Sequence, residues 1–305
     1  MPSTERSATS GLLFGISAYL LWGILPLYFV ALGAIGPFEI VSGRVLLTLI
    51  FCAGAVTVLR QWGRTAALLR DRGILLRLAA AGAVIYVNWQ VFVIASTSGH
   101  VIDASLGYFI NPVVTVLLAV VLLKERLTPV QWVAIGLTVV AFAIIAIGYG
   151  IFPWTGLVLA LSFGFYGYLK SSVGERVPAI SGLFVETLVL TPLAIAIISV
   201  LGITTGLTVG DADPVTILLF ACSGAVTAVP LLCFAASARR IPLSVLGFLQ
   251  YLAPTLMFLQ GWLLLGEDVP PARWAGFGLV WLALTCLSFD TIRRAGRERR
   301  RKRLG

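Results

Sequence analysis

The stretch from Asn111 to Gly136, NPVVTVLLAVVLLKERLTPVQWVAIG, returns in outline from Ala253 to Gly278 as APTLMFLQGWLLLGEDVPPARWAGFG. Pro112, Glu125, Pro129, Trp132 and Gly136 find counterparts in Pro254, Glu267, Pro271, Trp274 and Gly278, each 142 residues further on. Phe92 and Phe234 keep the same offset, and Leu106-Gly107 comes back as Leu246-Gly247, offset by 140. Self-similarity at a fixed offset marks a duplicated unit. The chain therefore divides into a first repeat, 1–148, a second repeat, 149–290, and a tail, 291–305.

Both halves have the composition of a membrane protein. Of 305 residues, 59% are apolar and 11% are charged, where soluble domains carry about a quarter charged residues. A helix crossing a bilayer needs about 20 mainly apolar residues. Ten stretches qualify, at 11–32, 38–59, 74–95, 102–123, 129–148, 153–169, 183–201, 215–236, 242–265 and 271–290. The first has only Arg6 before it, an apolar run too long for a signal peptide's core and no small-residue cleavage site, so it reads as a retained helix.

The basic residues set the orientation. With the N-terminus inside, the cytoplasmic side receives Arg6, Arg60, Arg64, Arg70, Arg72, Arg77, Lys124, Arg126, Lys170, Arg176, Arg239, Arg240 and every basic residue of the tail. Of the 22 lysines and arginines only Arg273 falls outside, while Arg44 lies within a span. That bias follows the positive-inside rule and puts both termini in the cytoplasm of a bacterial plasma membrane. The net charge of +9 thus tracks topology and anionic lipid headgroups, and no nucleic-acid partner is expected.

Five spans per half is an odd number, so the second half must be upside down relative to the first. The flanks agree: Glu125 sits in Lys-Glu-Arg on the inner side, its counterpart Glu267 in Gly-Glu-Asp on the outer side. The expected fold class is an all-α integral membrane protein of ten transmembrane helices arranged as two inverted five-helix repeats. Such repeats recur in secondary transporters.

Polar residues at depth mark a candidate substrate site. Pro112 and Pro254 stand near the middle of the fourth and ninth spans, where each removes a helical hydrogen bond. Paired helix breaks point to a binding site at the midplane, and a plain kink is the competing reading. Beside them lie Tyr108, Asn111, Gln250 and Tyr251, with Asn88, Trp89 and Gln90 in the third span and Trp22 in the first. Amides and aromatic faces suit a small amphipathic solute, though interhelical glue is the alternative.

Ionisable side chains inside spans usually signal function. Arg44, the first choice for a charged substrate contact, is expected to pair partly with Glu39. Glu186 occupies a place like that of Glu39 but lacks a matching arginine. Asp103 is expected to cap the fourth span, whose N-terminus favours a carboxylate, with proton coupling as the second reading. Cys52, Cys222, Cys233 and Cys286 lie in apolar spans with no metal-like spacing, and His100 is the single histidine, so no metal site and no triad is expected. Leu169 stands where a phosphate loop needs a second glycine before Lys170, so no nucleotide or other cofactor is expected.

Several longer stretches resemble a known family. Ala18-Tyr19-Leu20-Leu21-Trp22-Gly23 with Pro26, the Asn88-Trp89 pair, Ala104 through Pro112, Val229 through Phe234, and Leu246 through Tyr251 leading into Pro254-Thr255 are similar to the EamA group of the drug/metabolite transporter superfamily, and within it to the RarD-type permeases. The resemblance covers nearly all ten spans and implies the drug/metabolite transporter fold, with a central cavity between the repeats. Leu47-Thr48 departs from the Trp-Ser pair expected after the second-span arginine.

The combined reading is a secondary transporter, a permease or exporter, and not an enzyme, moving a small organic metabolite or drug by alternating access. A non-transporting sensor is the alternative. Proton coupling and a homodimer stay open, the latter because Gly11-x-x-x-Gly15 offers a small-residue packing face.

Overall fold

The structure is a computed structural model describing residues 2–123, 127–149, 152–238, 240–241 and 249–304. Its regular structure is helical. The longer elements are α1 (Pro2–Ala31), α2 (Pro37–Val58), α3 (Trp62–Arg70), α4 (Arg72–Thr97), α5 (Val101–Leu123), α6 (Pro129–Tyr149), α7 (Trp154–Val173) and α8 (Ala179–Thr204). They are followed by α9 (Pro214–Ala221), α10 (Ser223–Ala238), α11 (Leu252–Leu259) and α12 (Pro271–Leu304).

Punctuation in the sequence sets many of the boundaries. Pro37 opens α2, where its missing N–H has no helical partner to lose. The Asp71 side chain accepts from Ile74 N at 3.1 Å to cap α4. Asp213 caps α9, accepting from Val215 N at 2.9 Å and Thr216 N at 3.2 Å. Hydrogen bonds from the Thr216 hydroxyl, first, and from these amides hold the Asp213 carboxyl below its ordinary pKa. Gly99, after α4, takes φ +71°, a left-handed turn that suits glycine.

Among the described residues seven segments are long and apolar enough to cross a membrane: Thr9–Ala31, Pro37–Val58, Arg72–Thr97, Pro129–Gly148, Ala179–Thr204, Pro214–Ser237 and Pro271–Phe289. They answer seven of the ten expected spans. The expected spans at 102–123 and 153–169 fall on α5 and α7, helices outside that set. For the span at 242–265, residues 242–248 lie outside the described residues, and Leu252–Leu264 is a shorter apolar stretch. Glu125 and Leu246-Gly247 of the expected repeat, and Lys124, Arg126 and Arg239 of the charge pattern, also lie outside them. Two details were not expected: the short α3, and a joint at Cys222 that divides 215–236 into α9 and α10.

The exterior is apolar, as lipid requires: Ile147 and Ile203 are 83% and 85% exposed. Inside, small residues bring helices together. A Cβ on Gly107 of α5 would stand 2.7 Å from the Gly156 carbonyl oxygen of α7, so those helices touch backbone to backbone. The Gly11/Gly15 face is used in the same way within the chain. It packs on Arg240, Ile241 and Ser237, and the Ser237 hydroxyl donates to Gly11 O at 2.7 Å. The face proposed for a dimer is thus covered intramolecularly. The contacts Gly11 to Arg240, Trp22 to Phe234 and Tyr28 to Leu219 show α1 running antiparallel to the segment from α9 through α10 to Arg240.

Candidate functional site

α1, α2, α4 and α10 meet around Arg44, which is 5% exposed. Its Nε donates to Thr227 Oγ1 at 2.6 Å. The guanidinium carbon lies 4.4 Å from the Trp89 ring centroid and 5.3 Å from that of Phe29. Nη1 is buried with no hydrogen-bond partner among the described residues, and neither is one found for the buried Thr48 Oγ1, one helical turn along the same face.

The amide and aromatic residues of α4 and α5 form an adjoining network. The Asn88 amide nitrogen donates to Leu159 O and Ser162 Oγ, each at 3.0 Å, and its oxygen accepts from the Tyr108 hydroxyl at 3.0 Å. Tyr108 stacks edge-on with Phe92 and Phe163. The Gln90 carbonyl oxygen accepts from Tyr86 at 3.3 Å while its amide nitrogen is buried without a partner. Asn111 also keeps a buried, unpartnered side-chain oxygen. Trp22 lies in a separate aromatic cluster with Tyr19 and Phe234, at 5.4 and 5.8 Å between centroids. Tyr251 packs on the cluster built around Leu106, Phe109 and Phe277, with Gln250 beside it.

Several expectations are corrected. Glu39 does not pair with Arg44. Its oxygens accept from Thr208 N at 2.9 Å, Thr208 Oγ1 at 2.7 Å and Val209 N at 3.0 Å, tying down the turn before α9. Glu186 does have a cation: Lys170 Nζ of α7 stands 2.6 Å from Oε1, and Tyr166 donates to Oε2 at 3.2 Å. Asp103 does stand in the first turn of α5, where the helix dipole favours a carboxylate, but the capping hydrogen bonds go elsewhere. Glu267 makes them, accepting from Val101 N at 2.6 Å and Ile102 N at 2.9 Å, while Asp103 meets Arg273 at 3.1 Å.

The two prolines also differ from the expected paired breaks. α5 passes through Pro112 unbroken, since one missing bond is outweighed by the turns on either side. Pro254 falls in the first turn of α11, where an N–H would have no helical acceptor. The interruption precedes it, at the turn of Gln250 and Tyr251, and α11 ends in a π-helical turn, Gln260–Leu264. There the Gln260 amide donates to Gly23 O at 2.8 Å.

Thr227, Lys170 and Tyr166 escaped the sequence reading. Lys170 directly follows the expected span 153–169 and reads there as an inner-side charge, and Thr227 is one of three hydroxyls, with Thr216 and Ser223, in an apolar span. The spacing of Tyr166 and Lys170, four apart on one helix face, was the available signal for a shared acceptor.

A cavity of about 580 Å³, lined by residues including Leu59, Gln61, Ile180, Leu232, Ala235 and Arg240, opens at the ends of α2 and α10 and the start of α8. A second, of about 270 Å³, lies at the opposite ends of the helices, beside Asp103, Arg273 and His100.

A buried guanidinium, interlocking amides and an apolar exterior define a polytopic membrane protein of transporter type. The EamA-like transporter family model matches the chain twice, over residues 9–147 and 152–289, and the chain belongs to that family. It is 43% identical over 297 residues to Protein RarD of Streptomyces exfoliatus, covering 97% of this chain and 94% of that one. It is 38% identical over 303 residues to an uncharacterized transporter of Vibrio cholerae, covering 99% of each. A protein of known crystal structure shares the fold, with a TM-score of 0.59 at 18% identity over 93% of this chain and 98% of that one. The protein is therefore a multi-pass membrane transporter.

Proposed function

We propose that the chain is a secondary transporter of the bacterial plasma membrane that moves a small organic solute by alternating access. The observation that carries this reading is Arg44, a buried charge on α2 whose Nη1 has no partner among the described residues. Intramembrane charges are retained where they serve a pathway. The two family matches and the offset of 142 residues support ten crossings in two inverted repeats, 1–148 and 149–290, with both termini and the basic tail, 291–305, in the cytoplasm.

In this reading Arg44, Trp89 and Trp22 contact the solute, Tyr108 and Asn88 hold the wall behind them, and Gln90, Asn111, Gln250 and Tyr251 supply hydrogen bonds as the repeats rock. Glu39 and Glu186 act through the elements they fix. Energy comes from an ion or solute gradient, protons included, or transport runs downhill with none.

The test is uptake of a labelled panel of amino acids, organic acids and drug-like compounds into proteoliposomes, with and without a pH gradient. Saturable flux by the wild type, lost in Arg44→Ala, is expected. Binding without flux in either direction contradicts transport and favours a sensor.

A further inference from the structure

Four charged side chains are buried in the described part of the bundle: Glu39, Arg44, Glu186 and Arg273. Three are answered within the protein. Glu39 accepts three hydrogen bonds from Thr208 and Val209, Glu186 faces Lys170 at 2.6 Å, and Arg273 faces Asp103 at 3.1 Å. Arg44 has the Thr227 hydroxyl and two aromatic faces, and among the described residues no carboxylate oxygen lies within ion-pair distance of it. A guanidinium stays charged in proteins, and a buried charge without an opposite one is strongly unfavourable.

We propose that the substrate supplies this anion, and that it is a monocarboxylate with a flat apolar body. The inference rests on the transport reading of the same site. The planar donor edge of Arg44 matches a carboxylate, and the Thr48 hydroxyl, one turn away and also unpartnered, can donate to the second oxygen. One anionic charge fits better than two, because the other buried cation, Arg273, is already paired, as is the partly exposed Lys170.

The body of the solute follows from helix spacing. Trp22 lies seven residues before Phe29 on α1, and Phe234 seven after Thr227 on α10, so each is two turns, roughly 11 Å, along the same helix face. Because α1 and α10 run antiparallel, both rings lie on one side of Arg44, and their centroids stand 5.8 Å apart. That side leads toward the 580 Å³ cavity, with Arg240 at its rim to draw anions in.

The test is binding to purified wild type in detergent, read by tryptophan fluorescence and thermal shift. The probes are phenylacetate and indole-3-acetate, their primary amides, phenethylamine and phenyl phosphate. The carboxylates should bind at least about ten-fold more tightly than the amides and the amine, the size expected for a charge-assisted hydrogen bond. Arg44→Gln should abolish that preference and Arg44→Lys should retain part of it.

Equal binding of amide or amine, stronger binding of phenyl phosphate, a carboxylate preference that survives Arg44→Gln, or no carboxylate binding at about 1 mM overturns the proposal. Should Arg44→Gln not fold, the matched probes on wild type still decide. Carboxylate binding without flux in proteoliposomes brings down the transport reading alone. Flux of neutral or cationic solutes with no carboxylate bound brings down this one alone.

Discussion

α2 and α8 lie side by side in the bundle, and each buries a charge about two turns in from its N-terminus. On α8 the Glu186 carboxylate is held by Lys170 and Tyr166 from the neighbouring α7. On α2 Arg44 donates to a neutral acceptor, Thr227, and among the described residues Nη1 finds none. Burial is alike in the two places, so burial by itself does not mark a binding group. The difference is whether the charge is answered inside the chain. The first arrangement ties α7 to α8, while the role proposed for the second is to bind a solute that comes and goes.

Breaking the answered pair should have the largest effect. Lys170→Met leaves Glu186 without its cation and should lower stability by about 3 kcal/mol, at the low end for a buried pair because the Lys170 side chain is 27% exposed. Thermal unfolding in detergent would read the loss. Adding Glu186→Gln should restore most of it, and a double variant no more stable than the single one would show that the pair is not a closed structural unit.

Arg44→Gln sharpens the contrast from the other side. Solute affinity should fall about 10- to 100-fold, equivalent to roughly 1.4–2.8 kcal/mol, with thermal stability unchanged or raised, because a buried charge lacking an anion is removed.

Glu39→Ala, which frees Thr208 and Val209, should destabilise by about 1–2 kcal/mol. It should loosen the segment before α9, seen as faster amide hydrogen exchange at 208–211.

The smallest effect concerns Asp213, whose folded-state pKa is depressed by the Thr216 hydroxyl and backbone amides. A depressed carboxyl stabilises the fold above its unfolded pKa and loses that contribution as pH falls through the folded one. Asp213→Asn keeps a capping side chain and should flatten this acid-side slope slightly, measurable as thermal midpoint against pH.

Much of the fold was legible because hydrophobic length is a coarse, additive signal: seven of the ten expected spans match apolar helices long enough to cross a membrane. The offset of 142 residues rests on proline, tryptophan and glycine keeping their spacing, and the family model matches the chain twice, over 9–147 and 152–289. Pairing of charges was not legible. Glu39 and Arg44 are neighbours in sequence but find partners 169 and 183 residues away, at Thr208 and Thr227. Lys170 lies one residue past the expected span 153–169, but its helix, α7, continues beyond the apolar run to Val173 and brings the charge to Glu186. Such contacts depend on how helices rotate against one another, which hydropathy does not encode. Pro112 misled for a related reason, since a proline removes one hydrogen bond but does not by itself decide whether a packed helix breaks.

The most direct test of the central claim is solute exchange in proteoliposomes, comparing wild type, Arg44→Gln and the Lys170→Met/Glu186→Gln double variant at equal amounts of folded protein. Exchange is expected in wild type and in the double variant, and its loss in Arg44→Gln. Exchange at the wild-type rate by Arg44→Gln would contradict the claim.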